Sequence, residues 1–202
     1  MLNLIFKGGI LMWPILACSL ISLTIILEKV HYFHRLQRED NKWLGKIRTL
    51  VGEEKIDQAL NYCARMSGPL AHLIKVALIN RHLSPSQKEE ILSQVGAQEL
   101  EKLEKHLSAL GVISHISPLL GLFGTVVGMI KVFIAVEQVG GPVDPGLLAG
   151  GIWEALLTTA AGLAVAIPTL VMYHYLEGRV SHIYRRMKMV PLYLSEPEGR
   201  EF

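Results

Sequence analysis

Gly150-Gly151-Ile152-Trp153-Glu154-Ala155-Leu156-Leu157-Thr158-Thr159-Ala160-Ala161-Gly162-Leu163-Ala164-Val165-Ala166-Ile167-Pro168 contains a single charged residue. It lies in a longer run, from Asp144 to Glu177, in which Glu154 is the sole Asp, Glu, Lys or Arg. An α-helix needs about 20 apolar residues to cross a hydrocarbon core about 30 Å thick, and this run is long enough. Two further runs meet the same condition. Gly8 to Leu27 is uncharged, and no Asp, Glu, Lys or Arg occurs between Lys105 and Lys131. The expected fold class is therefore an all-α membrane protein with three transmembrane helices.

Composition agrees with this pattern. Half of the 202 residues are hydrophobic and 19% are charged, against about 25% charged in ordinary soluble domains. The charges crowd between and after the apolar runs. The net charge of +2 argues by itself neither for nor against nucleic acid, and no nucleic-acid partner is expected. Leu16-Ala17-Cys18 hints at a processed signal sequence. The apolar character continues through Leu20 to Leu27, beyond the about 7–15 residues of a signal h-region, so an uncleaved span is expected.

Lys and Arg set the expected direction. One, Lys7, precedes the first span, and none lies in the loop between the second and third spans. Thirteen fall between Lys29 and Lys105, and five from Arg179 onward. Positive residues favour the cytoplasmic side, which places the N-terminus outside and the C-terminus inside. The expected layout is an outer segment and first span over 1–34, and a helical cytoplasmic region over 35–105. The second span follows over 106–137, a short periplasmic loop over 138–149, the third span over 150–177 and a cytoplasmic tail over 178–202. Gly140-Gly141-Pro142-Val143-Asp144-Pro145 supplies the turn chemistry of that loop.

In the region before the second span, Leu44, Ile47, Leu50 and Val51 recur at helical spacing, as do Ile56, Leu60 and Cys63. Gly68-Pro69 breaks the chain before a helix over Leu70 to Ile79. Ser84-Pro85-Ser86-Gln87 is a helix start, with a Ser cap, Pro at the first position and Gln at the third. No strong breaker follows before Pro118. The helix from Pro85 is expected to run into the second span, giving a rod of about 50 residues and about 75 Å.

Several function classes have no support. No phosphate loop, nucleophile elbow, metal motif or nucleotide fingerprint occurs, so neither an enzymatic activity nor a cofactor is expected. Cys18 and Cys63 lie in different surroundings without disulfide or zinc spacing, and both read as free structural residues.

The candidate functional residues lie in the second and third spans. Gly121, Thr125 and Gly128 share a helical face. Gly124 and Gly128 form a small-xxx-small pair, which allows close helix approach in lipid, and simple packing would account for it. Gly162 and Pro168 belong to the same small-residue character of the third span. Glu154 is the sharpest feature. A charge at mid-bilayer costs about 2.5–3.5 kcal/mol on insertion scales, so such residues face a cavity or a partner. The competing reading places Glu154 at the outer interface, snorkelling or binding Lys131. Thr125 and Thr159 count to similar depths, about 11 Å from the outer surface. Their hydroxyls could form a polar ring in an oligomer or simply bond back to their own helices. His115 reads as a polar residue at the inner end of the second span, while Trp13, Trp153, Tyr173 and Tyr175 read as interfacial aromatics.

Pro118-Leu-Leu-Gly-Leu-Phe-Gly-Thr-Val-Val-Gly-Met-Ile130 and Gly151-Ile-Trp-Glu-Ala-Leu-Leu-Thr-Thr-Ala-Ala-Gly-Leu-Ala-Val-Ala-Ile-Pro168, within a three-span layout, resemble the TolQ/ExbB/MotA proton-channel family, closest to the TolQ–ExbB branch. The resemblance implies a homo-oligomer, a pentamer, around two single-span helices of an ExbD/TolR-like subunit whose membrane Asp takes up and releases the ion. It implies an ion pathway through Thr125, Glu154 and Thr159. Thr158 stands where relatives often carry Ala and lies one turn from Glu154, so it joins the candidates, and which of Thr158 and Thr159 faces the pore stays open. The implied setting is the bacterial inner membrane, among lipids, with a TonB/TolA-like protein as a further partner. The implied function is an ion-driven motor powered by the proton motive force and serving TonB-dependent uptake or envelope maintenance. Two other classes compete. A secondary transporter would need an inverted repeat that three spans do not show, and a membrane scaffold leaves Glu154 and the threonines without a role.

Overall fold

The computed structural model describes residues 9–39, 42–139 and 144–191. The described residues form seven helices and no strand. In chain order these are α1 (Met12–Glu39), α2 (Lys42–Gly52), α3 (Ile56–Arg65), α4 (Pro69–Ile79), α5 (Pro85–Glu104), α6 (Leu107–Val139) and α7 (Pro145–Lys188). Three stretches are long and apolar enough to cross a membrane: Met12–Leu36 in α1, Leu107–Gln138 in α6 and Leu148–Lys188 in α7. The protein is an all-α membrane protein with three transmembrane helices, the second of them in a helix of 33 residues. Lys7, the loop residues 140–143 and the tail beyond 191 lie outside the described residues.

The chain divides into two compact units. One comprises Met1–Glu28 and His106–Tyr175, the other Lys29–Lys105 and Leu176–Phe202.

The first unit holds most of the apolar surface. Leu119, Leu122, Phe123, Ile130, Leu156 and Ile167 are all exposed from the single chain. In water this would be an aggregation hazard, whereas in a bilayer it is the surface that lipid or a neighbouring helix covers. Pro118 and Pro168 sit inside α6 and α7 without ending them. Spanning helices tolerate proline when neighbouring side chains and helices compensate for the missing bond. Thr169, beside Pro168, donates its hydroxyl to the Val165 carbonyl of its own helix at 2.7 Å.

The second unit is built from short helices. Ser84 caps α5 as its sequence directs. The Gln87 amide donates to the Ser84 hydroxyl oxygen at 3.4 Å, and the Ser84 amide donates to Oε1 of Gln87 at 3.3 Å. Gly68 takes φ +126, which only glycine adopts readily, and Pro69 opens α4. Leu70, Ala71, Leu73, Ile74, Ala77 and Leu78 make α4 the most buried helix of this unit. Trp43 and Ile47 anchor α2, and Ala59 and Cys63 anchor α3.

One expectation from the sequence fails. The helix that starts at Pro85 does not continue into the second span. It ends at Glu104, Lys105 is extended at ψ 129, His106 enters the left-handed region at φ +69, and α6 starts at Leu107. No Gly or Pro marks the site. His is one of the residues that tolerate positive φ better than most. A residue distant in sequence meets the end of α5 at this place. Lys29, only 4% exposed, sends its ammonium to the carbonyl of Leu103 at 3.0 Å. That carbonyl belongs to the last turn of α5, where carbonyls lack intrahelical partners and favour a cation.

Candidate functional site

α6 and α7 pack antiparallel along a seam of small residues. Gly162 lies against the main chain of Ser117 and Gly121, so a Cβ at 162 would sit 2.5 Å from the Ser117 carbonyl oxygen. Gly121 lies against the backbone of Thr158 and Thr159, and Gly124 against the Thr158 side chain. Gly128 faces Ala155, and Gly151 faces Val132. The register is thus fixed along the seam by positions that admit no larger side chain. Gly121, Gly124, Gly128 and Gly162 are all buried, and Pro168 is exposed. The buried face of α6 therefore runs Ser117-Gly121-Gly124-Gly128, while Thr125 lies beside it, half-buried.

The hydroxyls divide into different environments. Thr158 is 2% exposed. Its hydroxyl donates to the Ala155 carbonyl at 2.7 Å, within its own helix, and its side chain fills the space left by Gly124. Thr159 is half-buried and reaches across the seam, donating to the Gly121 carbonyl at 2.8 Å. In the α-helical ladder that carbonyl is the partner of the Thr125 amide, so Thr159 and Thr125 meet in one turn. The Thr125 hydroxyl donates to the Leu122 carbonyl at 2.6 Å. Ser117 is fully buried, and its hydroxyl has no hydrogen-bond partner among the described residues. His115 is exposed and bonds to the Gly111 carbonyl at 2.7 Å.

Glu154 does not reach the threonine hydroxyls. Its Oε1 lies 3.5 Å from Nζ of Lys131, with the two side chains 34% and 58% exposed. Gly9, just before α1, lies so near the same oxygen that a Cβ there would collide with it, and Gly9 adopts φ +69. The sequence named Lys131 only as an alternative partner for a Glu154 at the interface. Gly9 was invisible to it, because nothing local to residue 9 signals a neighbour so distant in sequence.

A separate polar cluster lies in the second unit. Glu99 is 8% exposed, accepts from Lys102 at 2.6 Å and lies 2.9 Å from Nδ1 of His72. Burial pushes its carboxyl up, but the hydrogen bonds and charges of Lys102 and His72 outweigh burial and hold it below the usual range. Burial pushes the Cys63 thiol up to about 11, as expected of an inert structural cysteine.

Residues 65–189, which include the whole α6–α7 hairpin, match the MotA/TolQ/ExbB proton channel family. The chain belongs to that family. It is 33% identical over 186 residues to the biopolymer transport protein ExbB of Salmonella typhimurium, covering 82% of this chain and 71% of that protein. It is 29% identical over 190 residues to a Methanothermobacter thermautotrophicus chain named for its homology to ExbB, covering 94% of this chain and 67% of the other. A shorter match, 40% identical over 86 residues, is to the Tol-Pal system protein TolQ of Haemophilus influenzae, covering 43% and 37% of the two chains.

Proposed function

We propose that this chain is the channel-forming subunit of an inner-membrane motor driven by the proton motive force. It assembles as a pentamer around an ExbD/TolR-like single-span subunit, and a TonB/TolA-like protein carries the work to the outer membrane. The observation that carries this reading is the Thr159 hydroxyl bonded across the seam to Gly121, in the turn that holds Thr125. It supports a polar level inside otherwise apolar helices, and three helices are too few to enclose a path without further copies. Thr125, Thr159 and Glu154 each keep part of their surface open, which suits residues that meet an ion or a partner helix. Thr158 is enclosed by its own chain, so of the two adjacent threonines we assign the ion path to Thr159 and the packing role to Thr158.

The distribution of Lys and Arg supports an outer N-terminus, an inner region over 35–105 and an inner C-terminus. TonB-dependent uptake and envelope maintenance are the two systems this design serves, and a TonB-like or Pal-like companion gene assigns one of them.

The test is native mass measurement of the purified protein, alone and with its co-expressed single-span partner. A pentamer that retains the partner is expected, and a monomer or dimer in both preparations overturns the reading. A reporter that is active only in the cytoplasm, fused after Phe202, should be active. A periplasmic reporter active there reverses the orientation.

A further inference from the structure

We propose that Lys131 is the positioning and charge-balancing partner of Glu154, and that it keeps metal cations out of the Glu154 site and so restricts it to protons. This rests on the reading of Glu154 as part of the ion path.

The two residues are conspicuous by isolation. α6 carries only Lys131 and Glu137 as charges, and α7 carries none but Glu154 before Glu177. Two solitary charges of opposite sign, each costly in an apolar span, are brought to 3.5 Å of one another. Their backbones have little freedom to separate. Lys131 follows Gly128 by less than a turn and precedes Val132, and Glu154 precedes Ala155. The close Gly128–Ala155 and Val132–Gly151 approaches flank the pair on either side.

The geometry is also one-sided. The Lys131 ammonium lies 3.5 Å from Oε1 of Glu154, and a Cβ added to Gly9 would collide with the same oxygen, so both neighbours lie on the Oε1 side. A proton needs one lone pair, and Oε2 offers it. A metal cation needs more, because hard cations collect several oxygen ligands and favour uncompensated carboxylates. The ammonium of Lys131 already supplies the positive charge that a metal ion would bring, and it repels a second one at short range. A lysine so placed leaves proton exchange on Oε2 open while already supplying the positive charge that a sodium ion would bring.

The test uses the oligomer purified with its single-span partner, as wild type, Lys131→Arg, Lys131→Gln, Glu154→Gln and the Lys131→Gln/Glu154→Gln double variant. Proton and sodium flux are measured in proteoliposomes at fixed pH with sodium or choline, and thermal stability is measured in the same two salts. Wild type and Lys131→Arg should be indifferent to sodium in both readouts. Lys131→Gln should acquire a sodium effect of about tenfold on flux, together with sodium-dependent thermal stabilisation. The double variant should lose both effects. If Lys131→Gln does not conduct, the stabilisation by sodium decides the matter, because it requires no transport. A Lys131→Gln complex as indifferent to sodium as wild type, alongside a silent Glu154→Gln, overturns this inference and leaves the ion-path reading intact. A Glu154→Gln complex that conducts like wild type overturns the ion-path reading itself.

Discussion

Thr159 on α7 donates its hydroxyl to the main-chain carbonyl of Gly121 on α6 at 2.8 Å. The bond ties the two helices together at the level of Thr125 while leaving Thr159 partly open to its surroundings. Interhelical hydrogen bonds in membrane proteins contribute about 0.6 kcal/mol on average and about 1.7 at most. Thr159→Val should therefore unfold only slightly more easily, but it should lose ion-driven transduction by more than about tenfold if the hydroxyl also serves an ion, since an unsolvated ion in hydrocarbon faces a high barrier. Thr159→Ser, which keeps the donor, should retain much of both. Equal loss of stability and transduction in Thr159→Val would mean that the hydroxyl only packs the seam.

The glycines of the seam should differ sharply from glycines elsewhere in α7. At Gly162 an added methyl meets the Ser117 carbonyl and the Gly121 Cα, both of which are main chain and cannot step aside. Gly162→Ala should destabilise the hairpin by about 1–3 kcal/mol through overpacking. At Gly150 an added methyl meets nothing within 4 Å, so Gly150→Ala should be neutral or slightly stabilising through its better helix propensity. Unfolding of the two variants in detergent, compared with wild type, provides the check, and similar behaviour of both would show that the seam is looser than described.

Gly124 and Thr158 should be energetically coupled. A methyl at 124 would overlap the Thr158 hydroxyl and lie 2.6 Å from its Cβ. Gly124→Ala alone should weaken the hairpin. Adding Thr158→Gly should restore most of the loss, and adding Thr158→Ala less, because the alanine keeps the Cβ. Double-mutant cycles of contacting residues give couplings of about 0.5–3 kcal/mol, and strictly additive effects would count against the contact.

Glu99 should make the second unit sensitive to acid. Its carboxyl is held below the usual range in the folded protein, against about 4.3 for an unperturbed glutamate. A depressed value contributes stability that is fully present above the unfolded value and is lost as pH falls through the folded one. Between pH 7 and 5 the protection of α4 and α5 against hydrogen exchange should be flat with respect to this group, and below about 4 it should fall. Glu99→Gln should show reduced protection at neutral pH and a shallower acid dependence. An unchanged acid profile in Glu99→Gln would assign the acid sensitivity to other groups.

Local sequence determined a good deal of this protein. Charge-free length alone marked the three spanning helices, because the bilayer has one thickness and a helix one rise per residue. The start of α5 was equally legible, since Ser84 and Gln87 satisfy one another's backbone without help from distant residues. The motif around Gly121 and Thr159 was enough to indicate the family.

What sequence could not decide depended on neighbours far along the chain. The break at Lys105-His106 carries no glycine or proline, and Lys29 meets the end of α5 there from 74 residues away in sequence. Sequence left open which of the adjacent Thr158 and Thr159 faces the pore, yet one is enclosed against Gly124 and the other bonds to Gly121, because consecutive helical residues point about 100° apart and the α6–α7 register fixes which faces the seam. Likewise, Glu154 is a lone charge in the sequence, and the antiparallel packing of α6 on α7 is what places Lys131 beside it.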